Sequence, residues 1–202
     1  MIDFSLQQLV LRLCALLFIV LHGLAVAATA VALGDPGPRQ DGRLTLNPFA
    51  HLDILGGVSA LLFSVGWIRP IAIDPAKLRP GRAGLALAVI AGAAATLLSA
   101  LALRLLRPMV LPLLPDTASA LAFALVEMTG KLSVWFALLN LLPVPSLTGS
   151  HLLMIAMPQW GHWIAKLQPF IAVLLAVVAA TGWVTGLPAP AYRVLAGPIL
   201  GE

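Results

Sequence analysis

Residues 83–106 read AGLALAVIAGAAATLLSALALRLL, and the fold follows from this stretch. It is longer than the about 20 residues an α-helix needs to cross roughly 30 Å of hydrocarbon. Gly84, Ala88, Gly92, Thr96 and Ala100 recur every four residues, with Ala91, Ala95 and Ser99 as an adjacent row. In lipid, apolar side chains gain little from meeting one another, and helices associate where small residues let backbones approach. This helix is therefore expected at the centre of a bundle. Its small row reads as intramolecular packing in preference to a dimer interface.

Further apolar runs flank it. Residues 8–33 are apolar except for Arg12 and His22, and Gly23 and Ala27 offer a second small surface. Residues 54–68 are short for a span and contain Gly56, Gly57 and Gly66, which suits a tilted or a re-entrant segment. Residues 119–142 end at Pro143 and Pro145, residues 150–157 suggest a short helix, and residues 170–184 form a last span. Two polar connections separate the first and third spans: a turn-rich one over 34–53, and a basic, proline-rich one over 69–82 in which Ile71-Ala72-Ile73 suggests a short strand. Trp67, Trp160, Trp163 and Trp183 fall near span ends, as interface anchors do. The expected fold is all-α, a polytopic transmembrane helical bundle of about five spans. One span is short or re-entrant, and a small loop/β element lies between the first and third. Residues 1–202 read as a single membrane domain.

Composition agrees. The chain is 60% hydrophobic and 10% charged, against about 45–50% and about 25% in soluble domains. Disordered, collagen-like and disulfide-stapled classes are excluded. The lone cysteine, Cys14, permits no intrachain disulfide and no thiolate metal cluster. Nine arginines and three lysines are spread along the loops, so no nucleic-acid partner is expected. An alternative reading makes residues 13–25 the core of a signal peptide. It is disfavoured by Asp3, by the single basic residue Arg12 and by the apolar runs that follow. Orientation is undetermined. With five crossings, Arg69, Lys77, Arg79, Arg82 and Lys166 share one side, and Arg39, Arg43, Arg107 and Arg193 the other.

Three polar groups interrupt the apolar runs. His22 lies mid-span, and Glu127 lies in the fourth run with Lys131 four residues on. A charge at mid-membrane costs about 2.5–3.5 kcal/mol, so such residues face a bundle interior, a wet cavity or a partner. Glu127 and Lys131 have the favourable i, i+4 order and are expected to pair.

Read in order, several segments resemble the site-2 protease family of intramembrane zinc metalloproteases, most closely its short bacterial members. His22-Gly23-Leu24-Ala25-Val26 stands where that family has HExxH, and Gly34-Asp35 follows as its helix end. Gly42-Arg43-Leu44-Thr45-Leu46-Asn47-Pro48, then His51, Asp53 and Gly56, resemble its GRLTLNPxxHxDxxG loop. Gly66-Trp67-Ile68-Arg69-Pro70-Ile71 resembles GWxKPVPV, and Ala91-Gly92 falls at its AGPxAN helix. Asn140-Leu141-Leu142-Pro143-Val144-Pro145-Ser146-Leu147-Thr148-Gly149 resembles NLLPIPPLDG, whose aspartate is the third zinc ligand. The likeness covers a protease-like core of about residues 8–153 and leaves a C-terminal span and tail.

The resemblance implies a zinc site that this sequence lacks. His22 keeps the first ligand position. Gly23 stands for the general base, Val26 for the second histidine and Thr148 for the aspartate, and none of the three can do that work. No metal or other cofactor is expected. The retained positions are those of shape: Gly42, Asn47, Pro48, His51, Asn140, Pro143, Pro145 and Gly149. His51 is expected in an interfacial loop that it orders by hydrogen bonding, with His162 in another. The leading expectation is a catalytically inactive protease-like membrane protein. It would bind transmembrane helices of other proteins and lipids, as an accessory or assembly subunit of a larger complex in a bacterial inner membrane. Two alternatives stand beside it. One is an active intramembrane zinc protease with a metal site rebuilt from His22, His151 and Glu127. The other is a small transporter or proton pathway using Glu127, Lys131 and His22.

Overall fold

A computed structural model describes residues 6–186 and 188–200. Asp3 and the Cys14 side chain lie outside what it describes. Among the described residues the regular structure is helical: α1 (Leu6–Leu33), α2 (Gly37–Gln40), α3 (Pro48–His51), α4 (Ile54–Phe63), α5 (Ala83–Val110), α6 (Asp116–Leu141), α7 (Ser150–Ala156), α8 (Gly161–Ala180) and α9 (Ala189–Leu200). Short 3₁₀ turns follow α5, α7 and α8.

Three of the helical segments, Ala83–Leu113, Asp116–Leu141 and Pro158–Ala180, are long and apolar enough to cross a membrane, which makes this a membrane protein. α1 is 28 residues long, with Ile19–Leu33 as its described apolar part. α4 has 10 residues and rises only about 15 Å, so it does not cross alone and fits the re-entrant alternative. Asp53 caps it by accepting from Gly56 N at 2.9 Å, and Ser64 ends it in the left-handed region. From α1, the Arg12 guanidinium donates to the α4 carbonyls of Leu61 and Leu62 at 2.7 and 3.2 Å.

α1, α5 and α6 pack on one another, α9 adds to α6 and α5, and α8 lies outside against α4. The expected row on α5, Gly84, Ala88, Gly92, Thr96 and Ala100, is buried throughout. It packs within the chain. The main core joins Val26, Ala27, Leu85, Ala88 and Phe136. A second cluster around Trp67, Leu139 and Ala172 fastens α8, and a third around Val134, Ala196 and Leu200 fastens α9.

Four expectations are corrected. Residues 71–73 form no strand. The Pro70 carbonyl is taken by Arg43 and the Asp74 N–H by Asp35, so side chains satisfy the backbone where a partner strand would. The one β feature among the described residues is a bridge between Leu52 and Ile68. Trp67 is no interface anchor, being 2% exposed in the second cluster, whereas Trp160, Trp163 and Trp183 are exposed. The last span begins nine residues earlier than expected, at Gly161, and runs through Pro169. Arg107 is not beyond the third span, because α5 continues through Pro108 to Val110.

Two adjacent glycines separate space from conformation. A Cβ on Gly56 would stand 2.3 Å from the Trp67 carbonyl oxygen, whereas one on Gly57 meets nothing within 4 Å. Gly56→Ala is expected to cost about 1–3 kcal/mol or more by overpacking. Gly57→Ala should be neutral or stabilising by up to about 1 kcal/mol. Thermal melting of the two variants in detergent checks the contrast.

Candidate functional site

His22 and Val26 are one turn apart on α1 and fully buried against Gly92 of α5. Only glycine fits there: a Cβ would come within 2.5 Å of Val26 Cγ2 and 3.0 Å of His22 Nε2. The imidazole meets Phe136 of α6 edge-on, 5.1 Å between centroids. Its Nδ1 lies 3.2 Å from Thr96 Oγ1, and that hydroxyl donates its proton to the Gly92 carbonyl at 2.9 Å. Thr96 therefore accepts, Nδ1 carries the hydrogen, and Nε2 is an acceptor. Thr148 Oγ1 stands 2.9 Å from Nε2 and donates to it. The position that keeps a ligand and a position that lost one are thus joined by a hydrogen bond.

The turn after α6 delivers Thr148. Asn140 Nδ2 donates to the carbonyls of Phe136, at 2.9 Å, and Gly66, at 3.3 Å. Gly149 N donates to the Asn140 carbonyl at 2.7 Å. A Cβ on Gly149 would sit 2.2 Å from the Leu142 carbonyl oxygen, so this return admits glycine alone. Pro143 and Pro145 stop α6 from continuing, and Ser146 takes a φ of 82° that turns the chain back.

The space beside Gly23 is also filled. A Cβ there would lie 2.4 Å from His51 Nδ1. His51 is fully buried at the end of α3 and donates from Nε2 to the Thr45 carbonyl at 2.8 Å, a bond that ties its loop. Asn47 caps α3 by accepting from Phe49 N at 3.1 Å, Pro48 opens that helix, and Gly42 makes the preceding turn at φ 68°. Arg43, unremarked as a site residue in the sequence, braces both loops by donating to the carbonyls of Ala50 and Pro70. Burial holds the His51 imidazole below its ordinary value, outweighing the Thr45 hydrogen bond, and Arg43 adds to the lowering.

The rebuilt set of His22, His151 and Glu127 is not brought together. Glu127 Oε1 accepts from Arg107 at 2.8 Å, and Lys131 stands 3.9 Å from Oε2. The expected Glu127–Lys131 pair is present, with Arg107 the nearer cation, itself 5.0 Å from the Phe123 ring centroid. His151 lies on α7 and lines a cavity of about 20 Å³, beside Val26 and Thr148. Burial pushes its imidazole down to about 4, against the raising effect of a hydrogen bond to the Ile71 backbone. Thr96, Arg43 and Arg107 were missed because each looks ordinary in sequence: a small residue in a packing row, and two loop cations. A catalytic zinc needs three protein ligands and an open position. Among the described residues no group of three His, Cys, Asp or Glu side chains could hold a metal. The donors around His22 are hydroxyls, and a valine fills the next turn, so this set does not fit zinc.

Over 136 residues the chain is 32% identical to the Bacillus subtilis (strain 168) protein named "Putative zinc metalloprotease YwhC". The match covers 66% of this chain and 62% of that protein, so the chain spans less than two thirds of this relative's length. It supports a relationship to a protease family. No family model matches the chain, and no solved structure does.

Removing the Thr148 hydroxyl leaves His22 Nε2 buried without its donor. Thr148→Val should therefore cost about 1–3 kcal/mol and Thr148→Ser much less, measured as melting in detergent. Stability should also fall with acid. Burial lowers both His51 and His151 in the folded protein, His151 to about 4, whereas an unfolded histidine takes a proton near pH 6.5. Above that pH neither state binds it and no contribution arises; below it the unfolded state binds more protons. The loss from His151 is expected between about pH 6.5 and 4, of order 3 kcal/mol. Melting temperatures across that range, flattened by His151→Gln, check it.

Proposed function

We propose that this membrane protein is a non-hydrolytic relative of the site-2 proteases that holds a transmembrane helix of another protein, as an accessory or assembly subunit. A bacterial inner membrane is its proposed location. The observation that carries the reading is the His22–Thr148 hydrogen bond, 2.9 Å long, with the His51 ring filling the space beside Gly23. A zinc ion held by His22 needs the Nε2 lone pair that Thr148 occupies. A general base at position 23 needs the space that His51 fills. On this reading the frame serves to hold a helix, and the described residues at positions 22, 23, 26 and 148 supply no group to cut it. The motifs from Gly42 to Gly149 support assigning that frame to the site-2 family.

A second reading, intramembrane proteolysis, is favoured by the 32% identity to the Bacillus subtilis protein. It requires ligands that the described residues do not gather around His22.

Elemental analysis of protein purified from its native membrane separates the two. The accessory reading expects well under one zinc per chain, unchanged by His22→Ala, and a co-purifying membrane protein in stable ratio. One zinc per chain that His22→Ala removes, together with cleavage of a membrane substrate, would establish the enzyme instead.

A further inference from the structure

The chain between Arg43 and Arg69 runs beside the membrane helices and not beyond their ends. His51 seats against Gly23 of α1, and the neighbouring His22 meets Gly92, nine residues into α5. At about 1.5 Å per residue, that contact lies about 14 Å from the start of a helix long enough to cross a membrane. Farther along α1, Arg12 holds the end of α4. Leu46, Phe49 and Ile54 lie in this stretch and are exposed, Phe49 to 83% and Ile54 to 85%. Apolar side chains exposed beside a membrane helix meet acyl chains.

Two guanidinium groups stand at the same place. Arg43 is buried and donates to the carbonyls of Ala50 and Pro70. Those residues are the chain neighbours of His51 and Arg69, whose backbones are joined by a bond from Arg69 N to the His51 carbonyl at 2.7 Å. Arg69 therefore leaves the backbone beside Arg43, near enough for the two like charges to repel, with Asp41 as a partial offset. Among the described residues neither guanidinium is in an ion pair. The Arg69 side chain is exposed and makes no hydrogen bond among them. Like charges set together at the edge of hydrocarbon are costly unless an anion joins them. The arginine fork matches phosphate oxygens, and its long stem lets the charged head reach back to the headgroup layer.

We propose that Arg43 and Arg69 hold the phosphate of an anionic membrane phospholipid, whose acyl chains lie along Leu46, Phe49 and Ile54. One molecule then supplies both the charge and the apolar cover that this stretch needs. A wholly apolar neighbour would leave the two cations bare, and a zwitterionic headgroup would bring a third cation to them. The inference stands apart from the accessory reading, since it needs neither a partner helix nor the loss of zinc.

Calorimetric titration of the delipidated full chain in nonionic detergent tests it with short-chain lipids. Dioctanoyl phosphatidylglycerol should bind saturably. Dioctanoyl phosphatidylcholine lacks the net charge, dioctanoylglycerol the phosphate, and glycerophosphate the chains. Each should bind about tenfold more weakly or worse, a difference of about 1.4 kcal/mol. Arg69→Gln should weaken phosphatidylglycerol binding by a similar factor, and Arg69→Lys by less. On the unaltered protein the affinity should fall as ionic strength rises, a measurement that no misfolded variant can mask. Equal binding of dioctanoylglycerol would mean apolar adsorption, and equal binding of glycerophosphate a site for free phosphate. Either result overturns the proposal, as do equal binding of phosphatidylcholine, no saturable binding, and indifference to salt or to Arg69→Gln.

Discussion

The close approach of α1 and α5 at Gly92 sets the rest of the structure. In lipid there is no hydrophobic gain to pull two helices together, so contact depends on shape. Gly92 lets Val26 and His22 occupy the volume where its own side chain would stand. Once α1 is that near, the imidazole reaches Thr96 on one side and the turn after α6 on the other. The same approach puts Phe136 of α6 against the ring. A polar group deep in an apolar bundle is tolerable only when its hydrogen bonds are complete, and here both nitrogens are served. Packing and polar satisfaction at His22 are therefore one arrangement and not two.

That arrangement places a hydrogen-bonded cross-link where the motifs imply metal ligands. In a metal site, ligands from separate helices are tied by coordination. Here Thr148 ties α1 to the turn after α6 by donating a hydrogen bond, and Asn140 anchors the base of that turn, its side chain donating to Phe136 of α6 and to Gly66 after α4 while its own carbonyl accepts from Gly149 N. Val26 closes the second ligand position by packing, and His51 closes the base position by bulk. Each closure is by an ordinary neutral group. Such a cross-link holds α1 and the turn after α6 together through neutral groups of the chain alone.

Much of this was legible in the sequence, and what was not has a physical cause. The buried row on α5 could be read because small residues every fourth position have one use in lipid. The short α4 could be read because glycines and length together argued against an ordinary span. The His22–Thr96 contact could not, since a threonine in a row of alanines looks like one more small residue. Trp67 was misread because an aromatic near a span end usually sits at the interface, and only tertiary structure reveals the second cluster around it. Residues 71–73 were misread as a strand because their alternation is real, with Ile71 and Ile73 buried and Ala72 exposed. Pattern fixes which side chains face inward; it does not say whether a neighbouring strand exists to pair with.

The grip of Arg12 on the end of α4 bears on biosynthesis. The guanidinium is made 49 residues before the first carbonyl it will hold. Until those carbonyls emerge, the guanidinium near the beginning of α1 lacks the partners that hold it in the finished fold. The lock between the first helix and the short α4 can therefore close only once both have been synthesised.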